Sequence, residues 1–203
     1  MTIESCRFLG EACRAGATFG RVLTLGRQSL WVSPERLVEL AREAGVITDT
    51  ARATKALNVL VNSERRFEAY LRLLGATEVL ALDASPYEGA EVIHDLNHPV
   101  PPALVGQFDL LVDGGTLEHV FHFPNAIANC MRMLRTGGRL MLFTPGNNYL
   151  GHGFYQFSPE LFFRVLSPEN GFQVERLHAM VDTAGFSRLF GCLLYTSPSP
   201  RDS

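Results

Sequence analysis

The sequence lacks any long apolar segment. Its 203 residues contain no apolar run of the roughly 18 residues that a membrane-spanning helix requires. Charged residues from Glu4 to Arg14 interrupt the N-terminus, which does not resemble a basic start followed by an apolar signal core. The sequence therefore predicts neither a membrane span nor a secretory signal.

An excess of one charge is also absent. Lysine and arginine total 18 against 21 aspartates and glutamates, for a net charge of −3. A nearly balanced charge argues against a protein that binds the phosphates of nucleic acids. Apolar residues make up 46% of the chain, which excludes disorder throughout and predicts a globular protein with a packed core.

Cysteine is scarce, and no C-x-x-C pair occurs among the four: Cys6, Cys13, Cys130 and Cys192. Without a signal peptide, this usage predicts reduced thiols and a cytoplasmic protein.

Three further motifs are missing. The absence of a P-loop, a G-x-S-x-G elbow and a G-x-G-x-x-G loop argues against P-loop enzymes, esterases and nicotinamide oxidoreductases.

The last twelve residues, 192–203, resemble a translated sequencing adapter rather than natural protein. We expect one domain over residues 1–191, with its core at 21–178 and its natural last strands missing.

Predicted strands and helices alternate along the rest of the chain. Short apolar runs predict strands at Arg21–Leu25, Glu78–Leu82, Glu91–His94, Phe108–Val112, Arg139–Phe143 and Phe172–Leu177. Capping residues and apolar periodicity predict helices after Ser33, over Glu64–Leu74, over Asn125–Arg135 and from Ser158 to Val165, while residues 46–63 stay unassigned. Alternation of this kind predicts an α/β fold with a doubly wound, mostly parallel sheet.

Glycine and polar residues follow the predicted strands, namely Gly26, Asp83, Asp95, Asp113 and Thr144. In a parallel sheet these positions meet at the carboxyl edge, where ligands bind. The pattern predicts a polar ligand at that edge.

Residues 21–177 resemble a class I S-adenosylmethionine-dependent methyltransferase. The segment 108–145 is the most specific, through Phe108-Asp109, Glu118-His119-Val120, Arg132 with Leu134, Gly137-Gly138 and Thr144-Pro145. The resemblance implies a Rossmann-like fold and S-adenosyl-L-methionine as cofactor.

An ionised acid after the second strand can accept both ribose hydroxyls, and Asp83 is that candidate; the alternative is an ordinary turn residue. The resemblance gives Asp95 the adenine amino group, again with a turn as the alternative. It also places Asp113, Gly114 and Glu118 beside the cofactor.

The loop after the first strand departs from the family. It has Gly26-Arg27-Gln28 with one glycine, where the family has two or three. Gly26 permits close backbone approach. Arg27 and Gln28 either hold the methionine tail of the cofactor or fill the pocket.

Histidine follows the fourth strand. A neutral His119 can act as general base, or can simply pack on the next helix. Glu118, His119, His122 and His152 also raise the possibility of a metal, but we expect none. Aromatic and amide residues from Asn147 to Phe157 suit a small polar acceptor.

The sequence thus predicts an enzyme that transfers a methyl group from S-adenosylmethionine to an oxygen or nitrogen of a small molecule. A catalytically inactive methyltransferase-like binding protein is the second hypothesis. A metal-dependent hydrolase is a third and weaker one. The acceptor and the oligomeric state stay open.

Overall fold

A computed structural model of the chain describes residues 1–183 and 186–191. The chain divides into two compact units, residues 1–156 and the chain from 157 onward. The twelve residues assigned to an adapter lie outside the described part.

The first unit is built on a five-stranded sheet. Its strands are β1 (Arg21–Leu25), β2 (Glu78–Asp83), β3 (Val92–Ile93), β4 (Phe108–Asp113) and β5 (Leu134–Leu142). All pairings are parallel, and the spatial order is β3-β2-β1-β4-β5. The prediction of an α/β fold with a doubly wound parallel sheet is confirmed. The strand order reverses between β1 and β4, and ligands of such sheets bind at that switch point.

Five α-helices accompany the sheet in the first unit: α1 (Ile3–Arg14), α2 (Pro34–Glu43), α3 (Thr50–Val61), α4 (Phe67–Leu73) and α5 (Phe123–Met133). The first three helices are capped at their N-termini by Thr2, Ser33 and Asp49. Each of these side chains accepts a hydrogen bond from the backbone N–H three residues further along the chain. Two short 3₁₀ turns, Pro102–Leu104 and Leu117–His119, precede β4 and α5.

The core lies between the sheet and the helices on its faces. Val22, Leu110 and Phe67 have no exposed surface, and they belong to two strands and α4. Tyr70 is equally buried, and its hydroxyl donates to the Cys6 carbonyl at 3.2 Å. That bond fixes α4 against α1 across a long separation in sequence.

After β3, a buried side-chain amide makes the hydrogen bonds to the backbone that strands or helices make elsewhere. The Asn129 side chain on α5 accepts from Val100 N at 3.1 Å and donates to Leu96 O at 3.2 Å and His98 O at 2.7 Å. It is fully buried, and these three bonds give the amide of the buried Val100 its acceptor and the carbonyls of Leu96 and His98 one donor each. The segment is thereby held against α5.

In the second unit the structure describes α6 (Pro159–Val165), a 3₁₀ turn and an antiparallel pair, β6 (His178–Thr183) with β7 (Phe186–Gly191). The predicted helix after Ser158 is confirmed. The predicted strand over Phe172–Leu177 is wrong, because the regular hydrogen bonding begins at His178, opposite Gly191. A short alternating pattern marks a strand only where a partner strand supplies its hydrogen bonds.

The predicted end of one helix is also wrong. Helix α5 ends at Met133, and Gly137-Gly138, expected to terminate it, lies inside β5. Only glycine fits at Gly138, since an added Cβ would lie 2.9 Å from Arg135 O and 3.0 Å from Phe108 O. The glycines therefore mark a close strand contact and a register irregularity between Phe108 and Leu110.

In the described part of the chain, no helix combines the length and the apolar character needed to cross a membrane.

Candidate functional site

Three candidate residues meet at the carboxyl edge of β1, β2 and β3. Gly26 N donates to Leu82 O at 2.7 Å, which places Gly26 beside Asp83 at the end of β2. Asp83 pairs with Ile93, and Asp95 follows that strand by two residues. Gly26 has a φ of +66°, a conformation that glycine adopts without strain.

The two aspartates at this edge both form turns. Asp83 Oδ1 accepts from Ser85 N at 2.9 Å, and Asp95 Oδ1 accepts from Asn97 N at 2.9 Å and Nδ2 at 2.7 Å. The bonds from Asn97 lower the pKa of Asp95, which stays ionised. A turn role and a ligand role are compatible, because a carboxylate has about four acceptor positions.

Arg27 points away from the switch point into an ion-pair network. Its Nη2 lies 2.5 Å from Glu91 Oε1 and donates to Gly89 O at 2.8 Å, and its Nε lies 3.5 Å from Glu68 Oε1. Glu68 is buried, so Arg27 compensates a carboxylate inside the fold. The pKa of Glu91 is lowered: burial alone would raise it, but the Ala81 amide and Arg27 outweigh that effect. Arg27 is thus engaged by protein acids.

Gln28 and Met1 lie over the switch point. Gln28 Nε2 donates to Leu25 O at 3.0 Å. A Cβ on Gly114 would lie 2.7 Å from Met1 Sδ and 2.8 Å from Gln28 Cδ, so both side chains pack directly on the backbone after β4. Thr116 Oγ1 also donates to Leu25 O, at 3.0 Å. The crevice between β1 and β4 is therefore filled by side chains.

Asp113 is the fully buried acid at the end of β4. Its Oδ1 accepts from Thr116 N at 2.8 Å, whereas Oδ2 has no hydrogen-bond partner among the residues the structure describes. Burial raises the pKa of Asp113 to about 7, and the charge of Glu118 acts in the same direction. The side chain supports the turn that begins at Gly114 and does not face an open cleft.

Glu118, His119 and His152 come together, and we refer to them as the Glu118 cluster. One ligand atom from each lies within 4.8 Å of the others. Glu118 Oε1 is 3.4 Å from His152 Nε2, and the two imidazole rings meet edge to face with centroids 4.8 Å apart. The glutamate is buried, while both histidines are exposed. The cluster thus joins a buried carboxylate to two accessible nitrogens.

The loop after β5 carries His152 and is anchored at Glu118. Phe154 N donates to the Glu118 carbonyl at 2.7 Å, and a Cβ on Gly153 would lie 2.7 Å from the same oxygen. Exposed aromatic rings border the cluster: Tyr149 stands 5.8 Å from His152, and Phe121 packs on Phe154 at 5.6 Å. The loop predicted to face an acceptor therefore contributes a histidine and an aromatic rim.

Sequence reasoning missed one contributor, Met1, because no motif at the N-terminus marks it, although Ile3, Cys6 and Leu9 have helical spacing. His152 is among the residues that the sequence offers for a metal, but its pairing with Glu118 depends on the fold of the loop after β5. His122 lies outside the cluster, with its Nδ1 3.4 Å from Asn97 O.

No protein-family model and no curated protein matches this chain. Among solved structures, the chain is similar to the CMeT domain of citrinin polyketide synthase, with 13% identity and a TM-score of 0.41. The match covers 83% of this chain and 45% of that one, so this chain spans less than half of its length. A likeness of this size carries no statement about activity.

Proposed function

We propose that this chain binds S-adenosylmethionine at the carboxyl edge of its sheet and transfers the methyl group to an oxygen or nitrogen of a small molecule. The single observation that carries the proposal is the strand order β3-β2-β1-β4-β5, with Gly26 and Asp83 adjacent at its switch-point side. The motif resemblance of residues 108–145 supports the same function.

The residues at the edge fit the nucleoside half of this cofactor. Asp83 accepts one backbone bond and has further acceptor positions for the two ribose hydroxyls. Asp95, on the neighbouring strand end, is ionised and suits the adenine amino group. When bound, the cofactor supplies an electrophilic methyl group, and the protein holds the nucleophile in line with it.

The amino-acid half has less room. Gln28 and Met1 occupy the backbone surface at Gly114, and Arg27 is paired with Glu68 and Glu91. Binding of the whole cofactor therefore requires the Gln28 side chain to rotate out of the crevice. His119 is the accessible base on the acceptor side, and its contribution is secondary to positioning.

Calorimetric titration with S-adenosylhomocysteine tests the proposal. Asp83→Asn keeps the turn with Ser85 but removes the charge, so we expect binding about 10- to 100-fold weaker, as for the loss of charged hydrogen bonds. Asp49→Asn is the matched control, because asparagine also caps a helix and Asp49 caps α3. Equal affinity of the wild type and Asp83→Asn would refute this assignment.

The filled crevice favours a second candidate, a methyltransferase-like protein that does not bind the cofactor. Gln28→Ala separates the two. If Gln28 closes the crevice, the wild type binds S-adenosylhomocysteine weakly or not at all, and the variant binds it at least about tenfold more tightly. A folded Gln28→Ala protein that also fails to bind would exclude both the enzyme and a Gln28 gate.

A further inference from the structure

We propose that the Glu118 cluster is a binding site for a first-row divalent metal ion, with zinc as its probe. The inference stands on the geometry of Glu118, His119 and His152 and does not rest on the proposed methyl transfer. It replaces the expectation from sequence that no metal is bound. With a metal present, His119 is a ligand and no longer a free base.

The donor set matches such an ion. Two imidazoles and one carboxylate are the protein ligands of many catalytic zinc and iron sites, whereas magnesium prefers oxygen donors alone. Ligands that lie about 2.0 to 2.1 Å from one ion are about 3 to 3.5 Å from each other. Glu118 Oε1 and His152 Nε2 already have such a separation, 3.4 Å. His119 needs only a side-chain adjustment, because all three ligand atoms lie within 4.8 Å.

The electrostatics of the region also call for a cation. The Glu118 side chain is 2% exposed, and its Oε2 has no hydrogen-bond partner within the described residues. A buried carboxylate oxygen with no donor is costly, and a metal ion that Glu118 holds through both of its oxygens satisfies it.

The fold fixes the ligands from two directions. Glu118 and His119 lie on the 3₁₀ turn after β4, and His152 lies on the loop after β5. The amides of Phe154 and Tyr155 both donate to the Glu118 carbonyl, at 2.7 and 3.3 Å, which holds that loop beside the turn. Both histidines are exposed, so an ion held there keeps coordination positions open to an oxygen or nitrogen ligand from solvent.

The test is Zn²⁺ binding to the full chain without an affinity tag, measured by calorimetry and by metal content after dialysis. We expect one ion per chain. His119→Ala and His152→Ala should each bind about 100-fold more weakly or worse, since even outer-shell partners contribute about 10- to 100-fold. Both residues are exposed, so these variants should fold. Glu118→Gln tests the buried ligand.

His122→Ala is the matched control, because His122 is an exposed histidine three positions from His119 that lies outside the cluster. It should bind Zn²⁺ as the wild type does. Cobalt substitution adds an independent readout: a Co²⁺ spectrum without thiolate charge-transfer bands excludes binding at the cysteines. A folded wild type that binds no Zn²⁺ would overturn the inference. Unchanged affinity in both His119→Ala and His152→Ala would do the same.

Discussion

Replacing Asp113 by asparagine should remove a pH dependence of stability that the fold builds into β4. Burial raises the pKa of Asp113 to about 7, with Glu118 adding to the effect. In the unfolded chain the same carboxyl has its ordinary pKa of about 3.9. Between these values the folded protein holds a proton that the unfolded chain has lost, so the wild type loses stability as the pH rises from about 4 to about 7.

The size of the effect follows from the two pKa values. A rise from the ordinary value to about 7 corresponds to about 4 kcal/mol of unfolding free energy above pH 7, of which about 3 kcal/mol is lost between pH 5 and pH 8. Asparagine keeps an oxygen for the Thr116 amide and never ionises. The stability advantage of Asp113→Asn over the wild type should therefore grow by about 3 kcal/mol from pH 5 to pH 8.

Urea unfolding at a series of pH values measures this difference directly. A chelator belongs in every buffer, because a bound cation would stabilise the ionised acid. Asp49→Asn serves as the control for the same change of residue at an exposed helix cap. If the Asp113→Asn advantage does not change with pH, the carboxyl is not held protonated in the folded protein and the reasoning is refuted.

Three further changes test the packing described above by urea unfolding. Arg27→Leu should cost about 3 kcal/mol because it leaves Glu68 buried without its cation, and adding Glu68→Leu should recover most of that loss; no recovery would contradict the pairing. Asn129→Ala should cost about 2 kcal/mol, since Val100 N is left buried without an acceptor and two carbonyls each lose one donor, whereas Asn125→Ala only removes a second donor from Leu96 O and should cost less; equal losses would argue against this account. Ser33→Ala should cost about 1 kcal/mol, because it removes the cap of α2, whereas Ser33→Asp keeps a cap and should cost nearly nothing; no loss in Ser33→Ala would contradict the importance of this cap.

The parallel sheet was predictable because its strands are continuous apolar runs. A strand buried on both faces needs no alternation, and Phe108–Val112 fits β4 within one residue. The starts of α2 and α6 were equally predictable, because serine, proline and glutamate follow one another at Ser33 and at Ser158. Helix α3 was missed although Asp49 caps it, because residues 46–63 lack a strong apolar stripe.

The candidate site was less predictable than the fold. Residues at strand ends could be placed on one edge, and Asp83, Gly26 and Asp95 do lie there. Side-chain direction could not be read from sequence. Arg27 turns to Glu68 because a buried acid far along the chain requires a cation. His152 lies beside Glu118 because the amides of Phe154 and Tyr155, in the same loop, donate to the Glu118 carbonyl.

That carbonyl has a consequence for how this region tolerates change. The loop after β5 is attached to Glu118 through main-chain atoms of Phe154 and Tyr155, so the attachment is indifferent to the side chains that precede it. Asn147 and Asn148, which precede the rim residue Tyr149, can then be replaced or extended, provided that residue 153 remains a glycine, because a larger side chain there would meet the Glu118 carbonyl. Side chains that recognise a different ligand can therefore be introduced in this loop without changing its main-chain hydrogen bonds to Glu118.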